Sequence, residues 1–334
     1  MLCATGAFSL CATVPEKNCV LPTNGVWRVR SLSSELKEKI LCLDPEKVTE
    51  RDVREVLGGG PAPQIVNIHG GILPIKRGMN SFAEFLIAMG YPECGVRNFE
   101  NGTYTYGYYD DGEKIAGVIA WYYEREGLRP MLIGHSQGGI QVIRVLHLLA
   151  GEAEKTLAVW NPLTRTKEDR SEITDPLTGK MRPVVGLQVC YASAAASGGL
   201  ARALPNQWDM NSKLRSIPDS VLEFTGFQKG FDVFGGDYLG YGPANDYHAS
   251  GNAHVRNVRL PSVGSHWTLP YAEGLSKDQG IKDWIQNYQR GEADQKLWLP
   301  AKGRKGAQAL WAAELWHDIK KHWVLELQRV ICNQ

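Results

Sequence analysis

Ser136 is the residue of this chain whose surroundings best suit a nucleophile, because it lies in the run GHSQGG at residues 134–139. Strand-forming apolar residues come directly before this run, and the helix-forming sequence IQVIRVLHLL follows it. A sharp turn between a strand and a helix presents a serine hydroxyl to substrate and base. Small residues two positions on either side, here Gly134 and Gly138, prevent clashes in such a turn. The pattern therefore predicts that Ser136 attacks a carbonyl group.

A second motif, IVNIHGG at residues 65–71, places His69 and two glycines at the end of an earlier strand. Together with GHSQGG, it resembles the oxyanion loop and nucleophile elbow of the α/β-hydrolase family, in particular its lipase and esterase branch. The resemblance covers residues 60–290 of the chain. It implies an oxyanion hole formed by the backbone N–H groups of Gly71 and Gln137, with Ile72 as the neighbouring alternative to Gly71. His69 is expected to shape the loop rather than to act as a base.

The resemblance also implies a catalytic histidine, which should follow the acid in the chain. His266 is the expected base, because its glycine-containing loop follows the last predicted strand. Ligands bind at that edge of open α/β sheets. Most of the other downstream histidines are unsuitable. His147, His317 and His322 lie within predicted helices, and His254 lies at the wrong end of a predicted strand.

Asp232 is the expected acid, and its role would be to hold the imidazole of His266 in the right tautomer. It follows the preceding strand and is itself followed by apolar residues. Asp237 is the first alternative and Asp246 the second, although both are more typical of turn residues in the loop GGDYLGYGPANDY. That loop lacks the regular spacing of a calcium-binding loop, so no metal is predicted. Acyl transfer through a serine also requires no cofactor.

The elements that must position these residues alternate between strands and helices. The predicted strands cover residues 64–71, 130–134, 156–162, 219–227 and 254–263, and the predicted helices cover residues 81–90, 110–127 and 137–150. Ser81 and Gly90 are the expected caps of the first helix, and Gly127 ends the second. This alternation predicts an α/β fold in which helices flank a mostly parallel central sheet.

Three regions are predicted along the chain: an N-terminal extension at 1–59, an α/β-hydrolase domain at 60–290, and a C-terminal helical extension at 291–334. The extension at the N-terminus includes two short polar helices, with Ser34 and Asp44 as plausible N-caps. Residues 163–218 are predicted to form a small cap-like insertion over the active site. The final helix pattern, 306–334, has one apolar face. That face is expected to dock on the body, with a homodimer or a membrane-surface helix as alternatives.

The composition gives information about possible partners, but it does not indicate the cellular compartment. Lys and Arg (37) nearly balance Asp and Glu (36) in the 334 residues, which gives no reason to expect nucleic acid. No stretch is apolar for long enough to form a transmembrane segment. The apolar first residues are either the tail of a signal peptide or a segment that packs on the body.

The seven cysteines contain no CxxC pair, which argues against a structural zinc site. A disulfide between Cys19 and Cys42 is expected if the protein is exported, and reduced thiols are expected if it is cytoplasmic. Cys94 and Cys190 are expected to be small buried hydrophobic residues.

The expected function is that of a serine hydrolase, a carboxylesterase or lipase, that cleaves small-molecule or lipid esters of neutral, apolar acyl groups. An acyltransferase, a thioesterase or an amidase would use the same residues, and a non-catalytic binding protein of this fold is a further alternative. The insertion is expected to control acyl chain length. The expected apolar lining comes from two groups of residues: Leu204, Trp208 and Met210 in the insertion, and Trp267 and the tyrosines at 104, 106, 108 and 109 elsewhere.

Overall fold

The computed structural model describes Val29 and residues 31–152, 156–199, 202, 208, 210–290 and 305–333. The predicted signal-peptide tail, Cys19 and Leu204 lie outside these residues. Twelve strands are found in the described part of the chain: β1 (Ile65–His69), β2 (Tyr106–Gly107), β3 (Met131–His135), β4 (Trp160–Asn161), β5 (Thr166–Lys167), β6 (Glu172–Thr174), β7 (Met181–Pro183), β8 (Val189–Ala195), β9 (Ser216–Ile217), β10 (Val221–Lys229), β11 (His248–Ala249) and β12 (His254–Leu260).

Eight α-helices are found in the same residues: α1 (Ser34–Leu41), α2 (Glu50–Glu55), α3 (Leu73–Ala88), α4 (Gly112–Glu126), α5 (Gln137–Leu149), α6 (Glu273–Ser276), α7 (Gln279–Gln286) and α8 (Gly306–Cys332). Ser33 caps α1 through its side chain, one residue before the predicted Ser34. Asp44 caps the short 3₁₀ helix Pro45–Lys47. Gly127 ends α4 as predicted, in the left-handed conformation at φ 70°.

The central sheet has six strands in the order β12-β10-β8-β3-β1-β2. All five pairings in this sheet are parallel, which confirms the predicted α/β fold with a mostly parallel sheet. In the register, Gly134 of β3 is opposite both Ile68 of β1 and Ala194 of β8. Because parallel strands end at the same edge, the loops after β1, β3, β8, β10 and β12 converge there.

Helices cover both faces of the sheet, as the continuous apolar runs in its strands require. One hydrophobic core contains buried residues of α3 and α8, and the other contains those of α4 and α5. The largest side chains of the first core are the tryptophans at 311, 316 and 323, all completely buried. The molecule therefore has three layers, with the sheet in the middle.

The C-terminal helix α8 packs within the chain rather than projecting from it. Its apolar stripe is buried in the same core as Val29, Ile40 and Val53 of the N-terminal region. Side-chain bonds extend the contact, since Trp323 donates to the Pro61 carbonyl at 2.9 Å and Gln328 to the Ile40 carbonyl at 3.0 Å. The structure thus has this stripe docked on the body. A homodimer through α8 stays a prediction, and it would have to use a surface other than that stripe.

A buried charged residue, Asp318, ties α8 to the sheet. Its carboxylate accepts hydrogen bonds from Tyr191 of β8 (2.8 Å) and Thr225 of β10 (3.0 Å). It also pairs with Arg256 of β12 and with Arg290. No helix among the described residues is long and apolar enough to cross a membrane.

The prediction that residues 163–218 form a single cap is wrong, because β8 lies within that range and is a central strand between β3 and β10. The two hairpins before β8 pack beside α4 instead. Arg170 forms an ion pair with Glu124 at 2.6 Å, and Tyr123 donates to Asp175 at 3.1 Å. Both α4 residues are in its last turn, at the sheet edge opposite the convergent loops.

Two further predicted elements differ from the structure. The strand predicted at 156–162 is reduced to β4, which pairs antiparallel with β5 outside the central sheet. The helix predicted at 81–90 begins at Leu73, so Ser81 is an interior residue whose hydroxyl accepts a bond from the Glu273 N–H at 2.9 Å. Pro74 in the first turn suits that earlier start.

The cysteines also differ from the predictions. Cys42 is a free, exposed thiol, so the predicted disulfide between Cys19 and Cys42 is wrong. Cys94 is disulfide-bonded rather than a buried thiol. Cys190 is buried as predicted, and burial raises the pKa of its thiol well above the usual value.

Candidate active site

Ser136 lies at the strained turn that its sequence context predicts. It joins β3 to α5 with φ 58° and ψ −129°, a conformation that side-chain-bearing residues rarely adopt. A side chain at Gly134 would come within 2.6 Å of the Gly138 backbone, and one at Gly138 would overlap the Ile68 carbonyl oxygen. The turn therefore depends on both glycines, and it leaves Ser136 half-buried at the start of α5.

The three residues expected to form a triad are joined by two hydrogen bonds. His266 Nε2 lies 2.9 Å from Ser136 Oγ, and His266 Nδ1 lies 2.8 Å from Asp232 Oδ2. These residues come from the loops after β3, β10 and β12, at the same edge of the sheet. Such a chain can move a proton from the serine to the imidazole while the carboxylate orients and stabilises the charged ring.

The loop that carries Asp232 is closed on itself by Asp237. Their backbones exchange two hydrogen bonds, of 2.8 and 2.9 Å, and Gly235 N donates to Asp232 Oδ1 at 2.9 Å. Only one oxygen of Asp232 is thus directed at His266. A side chain at Gly235 would lie 2.6 Å from Asp232 Oδ2, the oxygen that faces His266, so glycine is needed there.

The two alternative acids do not reach His266. The completely buried Asp237 accepts hydrogen bonds from the backbone N–H groups of Lys229 and Gly242 and from the side chain of Asn245, at 2.9–3.2 Å. Burial is the main cause that raises the pKa of the Asp237 carboxyl. Asp246 is exposed at the far end of the same loop. The structure thus gives Asp237 the role of a loop anchor.

The two residues predicted to form the oxyanion hole lie together, but the Gln137 side chain already occupies the N–H group of Gly71. Gly71 N donates to Gln137 Oε1 at 2.9 Å, so the N–H expected to bind a substrate oxygen already binds a carboxamide. The Gln137 N–H is the first of α5, and such N–H groups have no partner within their own helix. Ile72, the alternative donor, is the exposed residue that precedes α3. His69 bonds the adjacent Gly70 carbonyl at 2.7 Å, whereas the imidazole that bonds Ser136 Oγ is that of His266.

A second imidazole lies against the proposed base. The ring of His135 is completely buried, and its centroid is 4.8 Å from that of His266. Among the described residues, neither His135 ring nitrogen has a hydrogen-bond partner. Burial, and then the nearby His266, lowers the pKa of His135 well below its usual value. His135 is therefore neutral at physiological pH and supports the His266 ring by packing.

Aromatic side chains enclose the other sides of His266. Trp267 meets the ring edge-on with centroids 4.9 Å apart, and Phe234 lies 5.9 Å from His266 and 4.4 Å from Trp267. Of the tyrosines expected at the site, Tyr108 packs against Gly71, and the Tyr109 ring lies beside that of Tyr108 at an angle of 50°. The other two do not line it, because Tyr106 is buried in the core and the Tyr104 hydroxyl bonds Glu93.

Two of the insertion residues expected at the site are among the described residues. Met210 is buried in the core of α4 and α5, while Trp208 is exposed.

Besides His135, two contributors to the site were not predicted from the sequence. Phe234 carries a signal, since it comes two residues after the expected acid in an apolar run. The contact between the Gln137 side chain and Gly71 joins residues 66 positions apart and has no local signal. In the described ranges, no cluster of His, Cys, Asp and Glu side chains is arranged to hold a metal ion. Neither known protein-family models nor characterised protein sequences gave a match to this chain.

Proposed function

We propose that this protein is a serine hydrolase of the α/β-hydrolase type that cleaves carboxylic esters through an acyl-enzyme. The observation that carries this proposal is the hydrogen-bonded chain from Ser136 through His266 to Asp232, with bonds of 2.9 and 2.8 Å. A serine bound to a histidine that is itself held by a carboxylate has the geometry of an activated nucleophile. The strained turn at Ser136 and the start of α5 directly behind it add to this support.

In the proposed reaction, Ser136 Oγ attacks the ester carbonyl carbon while His266 Nε2 takes the hydroxyl proton. Asp232 stabilises the resulting imidazolium through Nδ1. His266 then gives the proton to the departing alcohol, which leaves an acyl group on Ser136. A water molecule, deprotonated by His266, attacks this acyl group and releases the carboxylic acid. The oxyanion of each tetrahedral intermediate would be bound by backbone N–H groups at the start of α5 and in the loop after β1.

The surface around His266 favours neutral, apolar acyl groups. Phe234 and Trp267 enclose the imidazole, and large apolar side chains are exposed on the loops that converge at this edge. These exposed residues are Ile72, Leu73, Tyr109, Phe231, Phe234, Leu239 and Tyr271. Concave sites with apolar linings bind apolar ligands by removing their surface from water. We therefore propose a carboxylesterase or lipase, with the loop at 231–241 rather than residues 163–188 beside the acyl group.

A panel of p-nitrophenyl esters tests the proposal. We expect turnover of neutral acyl esters and little turnover of a succinyl ester of similar length, whose carboxylate would be desolvated by the aromatic surface. Ser136→Ala should abolish turnover, and Ser250→Ala, at the opposite edge of the sheet, should not change it. Absence of turnover with every ester would favour the binding-protein alternative. Release of free acid, rather than transfer to an added alcohol or amine, would separate a hydrolase from an acyltransferase.

A further inference from the structure

The carboxamide of Gln137 holds the position that the proposed reaction requires for a substrate oxygen. Gly71 N donates to Gln137 Oε1 at 2.9 Å, which is an ordinary length for an N–H to carbonyl bond. A carboxamide oxygen and an ester carbonyl oxygen are the same kind of acceptor. One N–H cannot serve both fully at the same time. The two oxygens must therefore compete for Gly71.

The surroundings of Gly71 allow this contact in the free protein. A Cβ at this position would overlap the Gln137 carboxamide and would come within 2.8 Å of the Tyr108 ring, so only glycine permits the approach. The Tyr108 ring therefore lies on the same side of Gly71 as the Gln137 carboxamide and bounds the space that it occupies.

The same side chain is able to leave. Gln137 is only half-buried, and it is the first residue of α5, where its side chain projects from the end of the helix rather than into the core. Its backbone N–H belongs to α5 and stays in place when the side chain rotates. Rotation would free Gly71 N and would leave the second expected donor unchanged.

We propose that the side-chain carboxamide of Gln137 is a displaceable stopper of the oxyanion hole, which a substrate carbonyl must replace on Gly71 N before Ser136 can react. This inference rests on the proposed function, because it assigns the Gly71 and Gln137 N–H groups to the oxyanion. It makes the Gln137 side chain a specificity determinant. Esters that bind well through their acyl group can displace it, and small esters with little other binding energy react slowly.

The rate at which a fluorophosphonate probe labels Ser136 tests the inference, since the P=O oxygen of the probe requires the same donors. Gln137→Ala removes the stopper and keeps the backbone N–H, and Gln137→Met keeps the size of the side chain without its acceptor. We expect both variants to be labelled about 2- to 10-fold faster than wild type, the factor that one neutral hydrogen bond of ordinary net strength is worth. Gln188→Ala, at the opposite edge of the sheet, is the matched control and should be labelled at the wild-type rate.

The outcomes separate this inference from the function on which it depends. Faster labelling of both variants supports the stopper and the hydrolase together. If wild type is labelled at Ser136 and the two variants are labelled at the same rate or more slowly, the hydrolase stands and the stopper is wrong. In that case the carboxamide is a permanent brace of the loop after β1. If Ser136 is labelled in none of the proteins, both the proposed function and the stopper are wrong.

Discussion

Asp232 and Asp237 exchange two backbone hydrogen bonds, of 2.8 and 2.9 Å, and this pair fixes which carboxylate faces His266. Asp232 Oδ2 lies 2.8 Å from His266 Nδ1, while the Asp237 carboxylate points into the loop and accepts bonds from Lys229, Gly242 and Asn245. The two acids are five residues apart and have different tasks. Asp232 orients the proposed base, and Asp237 holds the loop that carries Asp232.

The two acids should therefore respond differently to replacement by asparagine. Asp232→Asn should lower the turnover of a p-nitrophenyl ester by about 10²- to 10⁴-fold, because an amide at this position favours the wrong tautomer of the imidazole. Asp237→Asn should mainly lower the free energy of unfolding, by about 1 to 3 kcal/mol, since a buried acceptor of three hydrogen bonds becomes partly a donor. Near-normal turnover in Asp232→Asn, with loss in Asp237→Asn, would mean that Asp237 is the acid.

Gly138→Ala should disrupt the turn at Ser136. The added methyl group would overlap the Ile68 carbonyl oxygen, and neither backbone can move freely, because Gly138 is in the first turn of α5 and Ile68 is in the central strand β1. We expect a loss of about 1 to 3 kcal/mol in the free energy of unfolding, typical of overpacking, measured by urea denaturation. Gly274→Ala is the matched control, because a Cβ there would contact nothing within 4 Å. Equal stability of the two variants would show that the turn can accommodate a side chain at position 138.

Much of the central sheet could be predicted because β1, β3 and β10 are apolar runs that end at glycines or turn residues. The strand β8 could not be predicted in this way, since its sequence VCYASAA is rich in small residues and follows two polar hairpins. Its place in the sheet comes from pairing on both sides with β3 and β10, which no local pattern reveals. The start of α3 was missed because Ile72 provides no side-chain cap.

The three proposed catalytic residues could be predicted because each follows a strand, and parallel strands bring such positions to one edge. The side-chain orientations of the residues around them could not be predicted. Whether the Gln137 side chain turns toward Gly71 or toward solvent depends on the loop after β1. The contact of Phe234 with His266 similarly depends on the closure of the 232–237 loop.

Asp318→Ala should destabilise the protein strongly. The aspartate is completely buried, and its loss would leave Arg256 and Arg290 with fewer acidic partners and Tyr191 and Thr225 without their acceptor. Breaking a buried charge pair from one side typically costs about 3 to 5 kcal/mol, measured as the free energy of unfolding in urea. Glu55→Ala, which removes an exposed ion pair with Arg51, is the control and should cause no measurable change. A small loss in Asp318→Ala would show that the network does not hold α8 to the sheet.

Stability should fall as the pH is lowered from 7 to 5. Burial is the main cause that lowers the pKa of both His317 and His322 to about 4. The unfolded chain then binds more protons than the folded chain between about pH 6.5 and pH 4, so protonation favours unfolding in that range. The charged neighbours that bear on His322 are Glu223, Arg290, Lys321 and Glu326.

His322→Phe tests this origin of the acid sensitivity. The ring of His322 stacks on that of Tyr191, with centroids 5.1 Å apart, and phenylalanine keeps an aromatic ring there without a titrating group. Its loss of stability between pH 7 and pH 5 should be smaller than that of wild type by about 1 to 2 kcal/mol. His254→Phe, which alters an exposed histidine, should keep the wild-type dependence. An unchanged dependence in His322→Phe would assign the acid sensitivity to other groups.

The most direct test of the central claim is to locate a covalent probe by mass spectrometry. After incubation with a fluorophosphonate, the digested wild-type protein should carry the probe on Ser136, and Ser136→Ala should carry none. His266→Gln should be labelled far more slowly, because the hydroxyl then lacks the base that lies 2.9 Å away. Probe on another residue, or equal labelling of Ser136→Ala and wild type, would contradict the account.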